Sequence, residues 1–330
     1  MEQARDNDAV LEARNLIKDF PLHTNGLKRP MMRALNDVSF TLHKRRALAV
    51  VGESGSGKST TARLIARMYQ PTEGEITYRG RSIASIRGRR ASLAYRASVQ
   101  MVWQDPFGSL NPTHTIYHHI ARPLLLHRKV SGRRECRERV HDLMDQVGLV
   151  PVVETADKYP HQLSGGQRQR VNIARNLAVD AEVVLADEPT SMLDVSIRAG
   201  ILNLLEDMKH ERGLALMYIT HDLGTARYLA EEVAVMYVGH MVEWGDSESV
   251  IQNPQHPYTQ LLISAVPNPD RSIHERLEGE KGEIPLWTPQ TRGCPFAGRC
   301  PHTRSACHDV MPGTTEVAAG HYVRCHLYGE

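Results

Sequence analysis

The stretch VGESGSGKST, from Val51 to Thr60, is the most informative segment of this 330-residue chain. It matches G-x-x-x-x-G-K-[ST], with the apolar run ALAVV before it and the helical run TARLIARM after it, as a phosphate-binding loop requires. Glycines let backbone N–H groups turn around phosphate oxygens, and the following helix presents its positive N-terminus to the anion. The stretch therefore predicts a nucleotide site formed by Gly52, Ser54, Gly55, Gly57, Lys58, Ser59 and Thr60.

A second motif, VVLADEPT from Val183 to Thr190, ends an apolar strand in two adjacent carboxylates. On its own, such a run also describes a strand that ends in a solvated turn. Together with the phosphate loop it predicts that Asp187 holds Mg²⁺ through its water shell, while Glu188 accepts a proton from the water that attacks the γ-phosphate. Lys58 would then bridge the β- and γ-phosphates, and Ser59 would ligate Mg²⁺.

The periodicity of the rest of the chain predicts an α/β protein. Short apolar runs over residues 9–49 favour strands, and alternating helix and strand patterns over 168–236 favour a parallel sheet covered by helices. Helical spacing over residues 70–160 predicts an inserted helical subdomain. Proline becomes frequent after Gly245, which predicts a domain boundary followed by a loop-rich tail.

Composition disfavours a dedicated nucleic-acid binder, since 40 basic residues against 38 acidic residues leave a net charge of +2, far short of the basic excess expected of such a protein. Dense arginines over 79–96 and 122–139 could meet anionic lipid or nucleic acid, although solvated surface helices are favoured. No segment approaches the ~18 consecutive apolar residues of a membrane span, and the N-terminus MEQARDNDAV is too charged for a signal peptide. These features predict a cytoplasmic chain.

The stretch LSGGQRQR, from Leu163 to Arg170, lies between the two motifs and resembles the signature of the ATP-binding subunits of ABC transporters. The resemblance implies a P-loop ABC ATPase domain at residues 9–245, with a RecA-like parallel-sheet subdomain, an antiparallel β subdomain and a helical subdomain at about 106–180. It also implies a head-to-tail dimer that sandwiches two ATP molecules. In that dimer, ATP bound by the opposing subunit would meet Ser164, Gly165, Gly166 and Gln167.

Further positions match this family in order. Gln104 would touch Mg²⁺ and the attacking water, Asp194 falls in the D-loop, and His221 would contact the γ-phosphate. The resemblance thus implies a catalytic set of Glu188, His221 and Gln104, with Mg²⁺ held through Ser59, Gln104 and Asp187. Phe20 is the candidate for stacking on adenine, although an aromatic residue in one of the first strands is equally often an ordinary residue of the hydrophobic core. Met192 departs from the family, where a small D-loop residue is expected.

The tail, residues 246–330, resembles the C-terminal extension of oligopeptide and dipeptide importer ATPases. The resemblance rests on QDPFGSLNP at 104–112, NPQHPYTQLLISAVP at 253–267, and four clustered cysteines. Their spacing, C-x5-C-x6-C-x17-C, suits either tetrahedral zinc or an iron–sulfur cluster. The alternative without a bound metal is four unligated thiols in the tail. The subfamily resemblance favours a [4Fe–4S] cluster, with zinc as the alternative, on Cys294, Cys300, Cys307 and Cys325.

The expected function is an ATP-hydrolysing subunit that powers import of peptides or related solutes, located at the cytoplasmic face of the cell membrane. The implied partners are two transmembrane permease subunits, an extracytoplasmic substrate-binding protein, and a second ATPase, for which a paralogue is favoured over another copy of this chain. The alternative is a soluble ABC ATPase that acts on nucleic acid or a ribonucleoprotein assembly. A single LSGGQ, balanced charge and no heptad stretch disfavour that alternative. The sequence leaves the cargo open among a dipeptide, an oligopeptide, an oligosaccharide, nickel and other small solutes.

Overall fold

Residues 8–22, 30–265 and 285–329 are described by the computed structural model of this chain. They form two compact units. The first unit comprises Leu42–Arg46 and Tyr78–Ile219 with the chain up to Leu11, and the second comprises Glu12–Thr41, Ala47–Thr77 and the chain from Thr220 onward. The predicted domains, 9–245 and 246–330, follow motif content rather than compactness and stay predictions. Residues 266–284 of the predicted tail lie outside the described residues.

The strands in the described ranges follow the apolar runs of the sequence. The runs ALAVV, VVLAD and ALMYIT are buried along their whole length, as expected of parallel strands covered on both faces. The strands are β1 (Ala9–Pro21), β2 (Met31–His43), β3 (Ala47–Val51), β4 (Glu73–Tyr78), β5 (Arg81–Ser82), β6 (Val99–Val102), β7 (Val183–Asp187), β8 (Ala215–Thr220), β9 (Glu232–Tyr237), β10 (His240–Asp246), β11 (Thr315–Ala318) and β12 (His321–Val323).

The α-helices of the same ranges lie between these strands and in the tail. None of them combines the length and the hydropathy that crossing a lipid bilayer needs. They are α1 (Lys58–Ile65), α2 (Arg89–Ser98), α3 (Ile116–Leu126), α4 (Arg133–Gln146), α5 (Val152–Ala156), α6 (Gly165–Ala178), α7 (Val195–Arg212), α8 (Leu223–Leu229), α9 (Ser247–Gln252), α10 (Pro257–Ser264) and α11 (Ser305–Asp309). A 3₁₀ turn at Ala297–Arg299 precedes α11.

The first unit contains the parallel strands β6, β7 and β8 in that order, and helices α3, α4 and α6 pack on one another. The apolar positions Val140, Leu143 and Met144 of α4 are fully buried, as their spacing predicts. The prediction of helical structure from residue 70 is wrong at its start, because β4, β5 and β6 occupy parts of residues 73–102. These strands are short, and β4 buries only Ile76, so they carry little period-2 signal.

The second unit contains the sheet that carries the phosphate loop. Strand β3 pairs in parallel with β9, which is followed by antiparallel β10, β12 and β11. The tail is therefore more regular than the predicted loop-rich segment, because its strand β12 pairs with β10 and extends the sheet. Its strands have three and four residues, too few for a periodic signal in the sequence.

Candidate active site

The phosphate loop, residues 52–59, connects β3 to α1 in the second unit. Gly57 caps α1 in the left-handed region, with φ of +102°. A Cβ there would lie 2.7 Å from Leu35 Cδ2 and 2.8 Å from the Ala34 carbonyl oxygen, so only glycine fits. Ser54 and Gly55 are exposed at the tip of the loop. The backbone turn that the motif predicts is therefore enforced by close packing.

Lys58, the first residue of α1, is 5% exposed, and its ammonium points into the loop. Its Nζ donates to the carbonyl oxygens of Gly52, at 2.7 Å, and Glu53, at 2.8 Å. Ser59 and Thr60 follow in the first helical turn and are half-buried. A buried cation, a helix N-terminus and a curled backbone together provide the positive field that a phosphate group needs.

Two other predicted ligands, Phe20 and His221, also lie in the second unit. The Phe20 ring packs edge-on against Tyr69, with centroids 5.3 Å apart, and remains half-buried. His221 is exposed directly after β8. Asp222 accepts hydrogen bonds from Gly224 N at 2.9 Å and Thr225 N at 3.3 Å, which caps α8 and fixes the backbone that carries the histidine. Their roles toward adenine and the γ-phosphate stay predictions.

The predicted catalytic residues Gln104 and Glu188 meet in the first unit, although 84 positions separate them. The Gln104 Nε2 amide donates to Glu188 Oε2 at 2.9 Å. Glu188 adopts a left-handed φ of +47°, and its N–H donates to the Ile219 carbonyl at 2.9 Å. Asp187, at the end of β7, is 3% exposed. The turn after β7 thus directs the two neighbouring carboxylates into different surroundings.

Gln169 is a site residue that the sequence did not reveal. It is fully buried in α6, and its Nε2 lies 3.0 Å from the Pro189 carbonyl and 3.4 Å from the Trp103 carbonyl. The Gln169 side-chain amide therefore connects Trp103, the residue before Gln104, to Pro189, the residue after Glu188. The available signal was a polar side chain at a core position of a helix whose neighbours are apolar.

The signature stretch forms the start of α6, also in the first unit. Ser164 Oγ accepts from Gln167 N at 3.3 Å, and Gln167 Oε1 accepts from Ser164 N at 3.0 Å, which makes a capping box. Gly165 and Gly166 occupy the first turn. The Gln167 side chain is thus engaged in the cap, while the N-terminal turn of the helix carries the positive end of its dipole.

The D-loop packs directly against the signature glycines. A Cβ at Gly166 would lie 2.4 Å from Ile197 Cγ2 on α7, and one at Gly165 would lie 3.3 Å from Leu193 Cδ2. Asp194 stands at the N-cap of α7. Met192, the departure noted in the sequence, is 55% exposed and therefore lies on the surface of the unit.

These motifs and their geometry agree with the similarity of the chain to known proteins. Residues 35–191 match the ABC transporter family, and residues 242–307 match the C-terminal region of oligopeptide/dipeptide transporters. The chain is 41% identical to the oligopeptide transport ATP-binding protein AppF of Bacillus subtilis, over 98% of this chain and 99% of that protein. The chain belongs to the ABC transporter ATP-binding proteins, in the oligopeptide/dipeptide family. It is also 41% identical to the dipeptide transport ATP-binding protein DppF of Escherichia coli, over 98% of this chain and 96% of that protein.

Solved structures place the same fold in ATP-binding cassettes. A dimeric cassette in a post-hydrolysis state with ADP and Pi is 29% identical, with a TM-score of 0.63 over 72% of this chain and 98% of that chain. CbiO1 of Clostridium perfringens, part of an ABC transporter complex, is 26% identical, with a TM-score of 0.63 over 74% of this chain and 92% of that chain. This ABC protein is therefore an ATPase with the mixed α/β cassette fold, and it uses ATP with Mg²⁺.

Substitution of Gly166 by alanine should test the packing of the signature against the D-loop of this ABC protein. Because the new methyl group would overlap Ile197, we expect a loss of about 1–3 kcal/mol in the free energy of unfolding. The additional substitution Ile197→Ala should recover part of that loss, since it removes the overlapping methyl groups. Chemical denaturation of the two variants checks this, and a double variant no more stable than Gly166→Ala would contradict it.

The four tail cysteines line one small cavity in the second unit of the ABC protein. All of them are free thiols, and Cys294 N–H donates to the Cys307 carbonyl at 2.7 Å. Burial, with smaller contributions from the neighbouring thiols, raises the pKa of Cys294 to about 12. Within the described ranges, no three His, Cys, Asp or Glu side chains converge as ligands of a single metal ion. The sequence therefore located a cavity that is lined by four cysteine sulfur atoms, and both the [4Fe–4S] cluster and the zinc alternative stay predictions.

Proposed function

We propose that this ABC ATPase powers an importer of peptides or related small solutes. The observation that carries the proposal is that similarity to peptide transport ATP-binding proteins spans 98% of the chain, including the C-terminal region at 242–307. The cassette is shared by all ABC proteins, so it is the C-terminal region that indicates peptide transport. Other proteins of the transport system would select the particular peptide or related solute.

In the proposed mechanism, the phosphate loop binds the phosphates of ATP, and Lys58 neutralises their charge. Mg²⁺ would be held by Ser59, Gln104 and Asp187, whose side chains offer oxygen atoms, the ligand type that this ion prefers. The fit is supported at Gln104, because its Nε2 donates to Glu188, and the amide oxygen is the atom of this side chain that can ligate a cation. When bound, Mg²⁺ offsets the charge that develops on the phosphate oxygens.

Glu188 is proposed as the general base that takes a proton from the attacking water. The Gln104 amide donates to its Oε2 at 2.9 Å, which fixes the orientation of the carboxylate that would accept the proton. His221 is proposed to contact the γ-phosphate, and Phe20 to stack on adenine with its half-buried ring. The capped turn of Asp222 supports the first assignment, because it fixes the backbone beside His221.

A dimer is proposed in which the N-terminus of α6 meets ATP held by the opposing subunit. The Ser164 cap leaves the helix dipole directed outward, which favours an anion at this point. Support also comes from two exposed side chains near Asp194, since Met192 is 55% exposed and Val195, the first residue of α7, is 81% exposed. The dimeric cassette that shares the fold gives independent support. A paralogous ATPase is the preferred second subunit, with a second copy of this chain as the other option.

The remaining partners are proposed to be two permease subunits and an extracytoplasmic substrate-binding protein, with the ATPase at the cytoplasmic face of the cell membrane. Exposed apolar side chains of the first unit support a docking surface for the permease. Phe107, three residues after Gln104, is 50% exposed and stacks on Arg168, whose guanidinium lies 4.2 Å from the ring centre. Leu125 and Val153 are also more than half exposed.

The deciding experiment is an affinity pull-down of the tagged protein from gently solubilised native membranes, followed by mass spectrometry. Recovery of permease subunits would support the importer and would name the transport system. Recovery of soluble assemblies or nucleic acid alone would contradict the importer and favour the alternative ABC ATPase. A Phe107→Ser variant, prepared in parallel, should recover less permease while it still binds ATP, because the substitution removes the half-exposed ring and its stacking on Arg168 and leaves the phosphate loop unchanged.

We further propose that the four tail cysteines hold a [4Fe–4S] cluster. The proposal is supported by the four cysteine side chains, which line one cavity of the second unit. Four cysteine thiolates are the usual ligand set of such a cluster. When bound, it would supply a covalent crosslink between the 3₁₀ turn region, α11 and the segment after β12.

Substitution of Cys294 by serine should abolish cluster binding. We expect anaerobically purified wild-type protein to contain iron and acid-labile sulfide, and the variant to lose most of both while it retains ATP binding. Cys136→Ser is the matched control, because Cys136 is a buried thiol in α4 of the other unit. Full iron and sulfide in the Cys294 variant, or none in the wild type, would contradict the proposal.

A further inference from the structure

The phosphate loop is held from outside the cassette by two side chains of the C-terminal extension. Arg299 forms a bidentate ion pair with Glu53, with Nη1 at 2.9 Å from Oε2 and Nη2 at 3.0 Å from Oε1. The Tyr258 hydroxyl accepts from the Glu53 backbone N–H at 2.8 Å. The carboxylate and the peptide of one loop residue are thus both fixed by residues beyond position 246.

Both contacts are built into the packed interior of the second unit. The Arg299 side chain is 12% exposed, and Tyr258 is fully buried. The Tyr258 ring packs against Tyr237 and Phe296, at centroid distances of 4.6 Å and 5.4 Å. Arg299 also donates to the Tyr237 hydroxyl at 3.2 Å, and its 3₁₀ turn begins directly after Phe296. The two contacts are therefore anchored by one aromatic cluster.

Glu53 in turn carries a carbonyl that binds the phosphate-loop lysine. Lys58 Nζ donates to the Glu53 carbonyl at 2.8 Å, so a shift of this peptide would displace the ammonium. Charge-assisted, bidentate contacts fix direction as well as distance. We propose that Arg299 and Tyr258 are positioning residues of the ATP site, through which the C-terminal extension sets the affinity of the phosphate loop for MgATP.

The test compares two arginines that have nearly the same surroundings. Arg299 and Arg324 each precede a cysteine of the cavity, and each forms an ion pair with the body of the second unit. The partner of Arg324 is Asp37, at 2.7 Å, outside the phosphate loop. Arg324→Gln is therefore the matched control for Arg299→Gln. Both variants are measured in the full chain, alongside Arg299→Lys, Tyr258→Phe and Glu53→Gln.

We expect Arg299→Gln to raise the dissociation constant of a fluorescent MgATP analogue and the KM for MgATP about tenfold, with kcat within about twofold of the wild type. Arg299→Lys should recover part of the affinity, and Tyr258→Phe should weaken binding in the same direction. Arg324→Gln should leave binding unchanged. The effects of Glu53→Gln and Arg299→Gln should not add in the double variant, because both break one contact.

Three results would overturn the proposal. Arg299→Gln could bind MgATP as the wild type does, Arg324→Gln could weaken binding equally, or the two effects could be fully additive. If a thermal melt shows that Arg299→Gln is not folded, Glu53→Gln still tests the proposal, because this variant leaves the C-terminal extension intact. The proposal rests on MgATP binding at this loop, which the wild-type measurement tests separately.

Discussion

Substitution of Glu188 by glutamine should lower ATP turnover about 10³-fold and leave MgATP affinity within about twofold of the wild type. The substitution is nearly isosteric, and the new amide oxygen can still accept the hydrogen bond from Gln104 Nε2. The local geometry should therefore survive, while the ability to take a proton is lost. Phosphate release at saturating MgATP, together with binding of a fluorescent ATP analogue, measures the two effects separately.

The opposite end of the same strand provides the control for this variant. Glu182 lies directly before β7, accepts from the Tyr78 hydroxyl at 2.6 Å and pairs with Arg79 at 2.7 Å. Glu182→Gln makes the same chemical change without touching the proposed base, so its turnover should stay within about twofold of the wild type. Retention of more than a tenth of wild-type turnover in Glu188→Gln would remove Glu188 from the role of base.

Substitution of Glu243 by glutamine should cost about 3 kcal/mol of stability, the largest structural effect expected outside the site. Glu243 is fully buried in β10, and its carboxylate lies 2.7 Å from His321 Nε2. It also accepts from the backbone N–H groups of Gln255 and His256, both at 2.8 Å. An amide would direct its own N–H groups at one of these donors and leave that donor unsatisfied.

The loss at Glu243 should appear as a fall of about 5–10 °C in the thermal midpoint. Hydrogen exchange should show the largest loss of protection at β12 and the start of α10, which the carboxylate joins. Glu316→Gln is the control, because this carboxylate of β11 is exposed and accepts its hydrogen bond from a nearby backbone group, Gly320 N at 2.9 Å. A Glu243 variant that melts with the wild type would show that the carboxylate is dispensable.

The motifs predicted the family because each depends only on residues that are close together in the sequence. The glycines around Lys58 and the cap at Ser164 act within a few residues, so the sequence contains their full specification. The strands β3, β7 and β8 were also evident, since their apolar runs are unbroken. The short strands β4 to β6, β11 and β12 were missed because two to six residues leave too little periodicity to detect.

The cassette fold, the ATP-binding loop and the peptide-transporter type of tail could thus be predicted from the sequence. Three contacts became visible only in the folded structure: the hydrogen bond of Gln104 with Glu188, the hydrogen bonds of Gln169, and the ion pair of Arg299 with Glu53, which are 246 positions apart. The physical reason is that a motif is fixed by backbone geometry and neighbouring side chains. A contact between distant residues depends instead on how whole strands and helices pack, which no local pattern encodes.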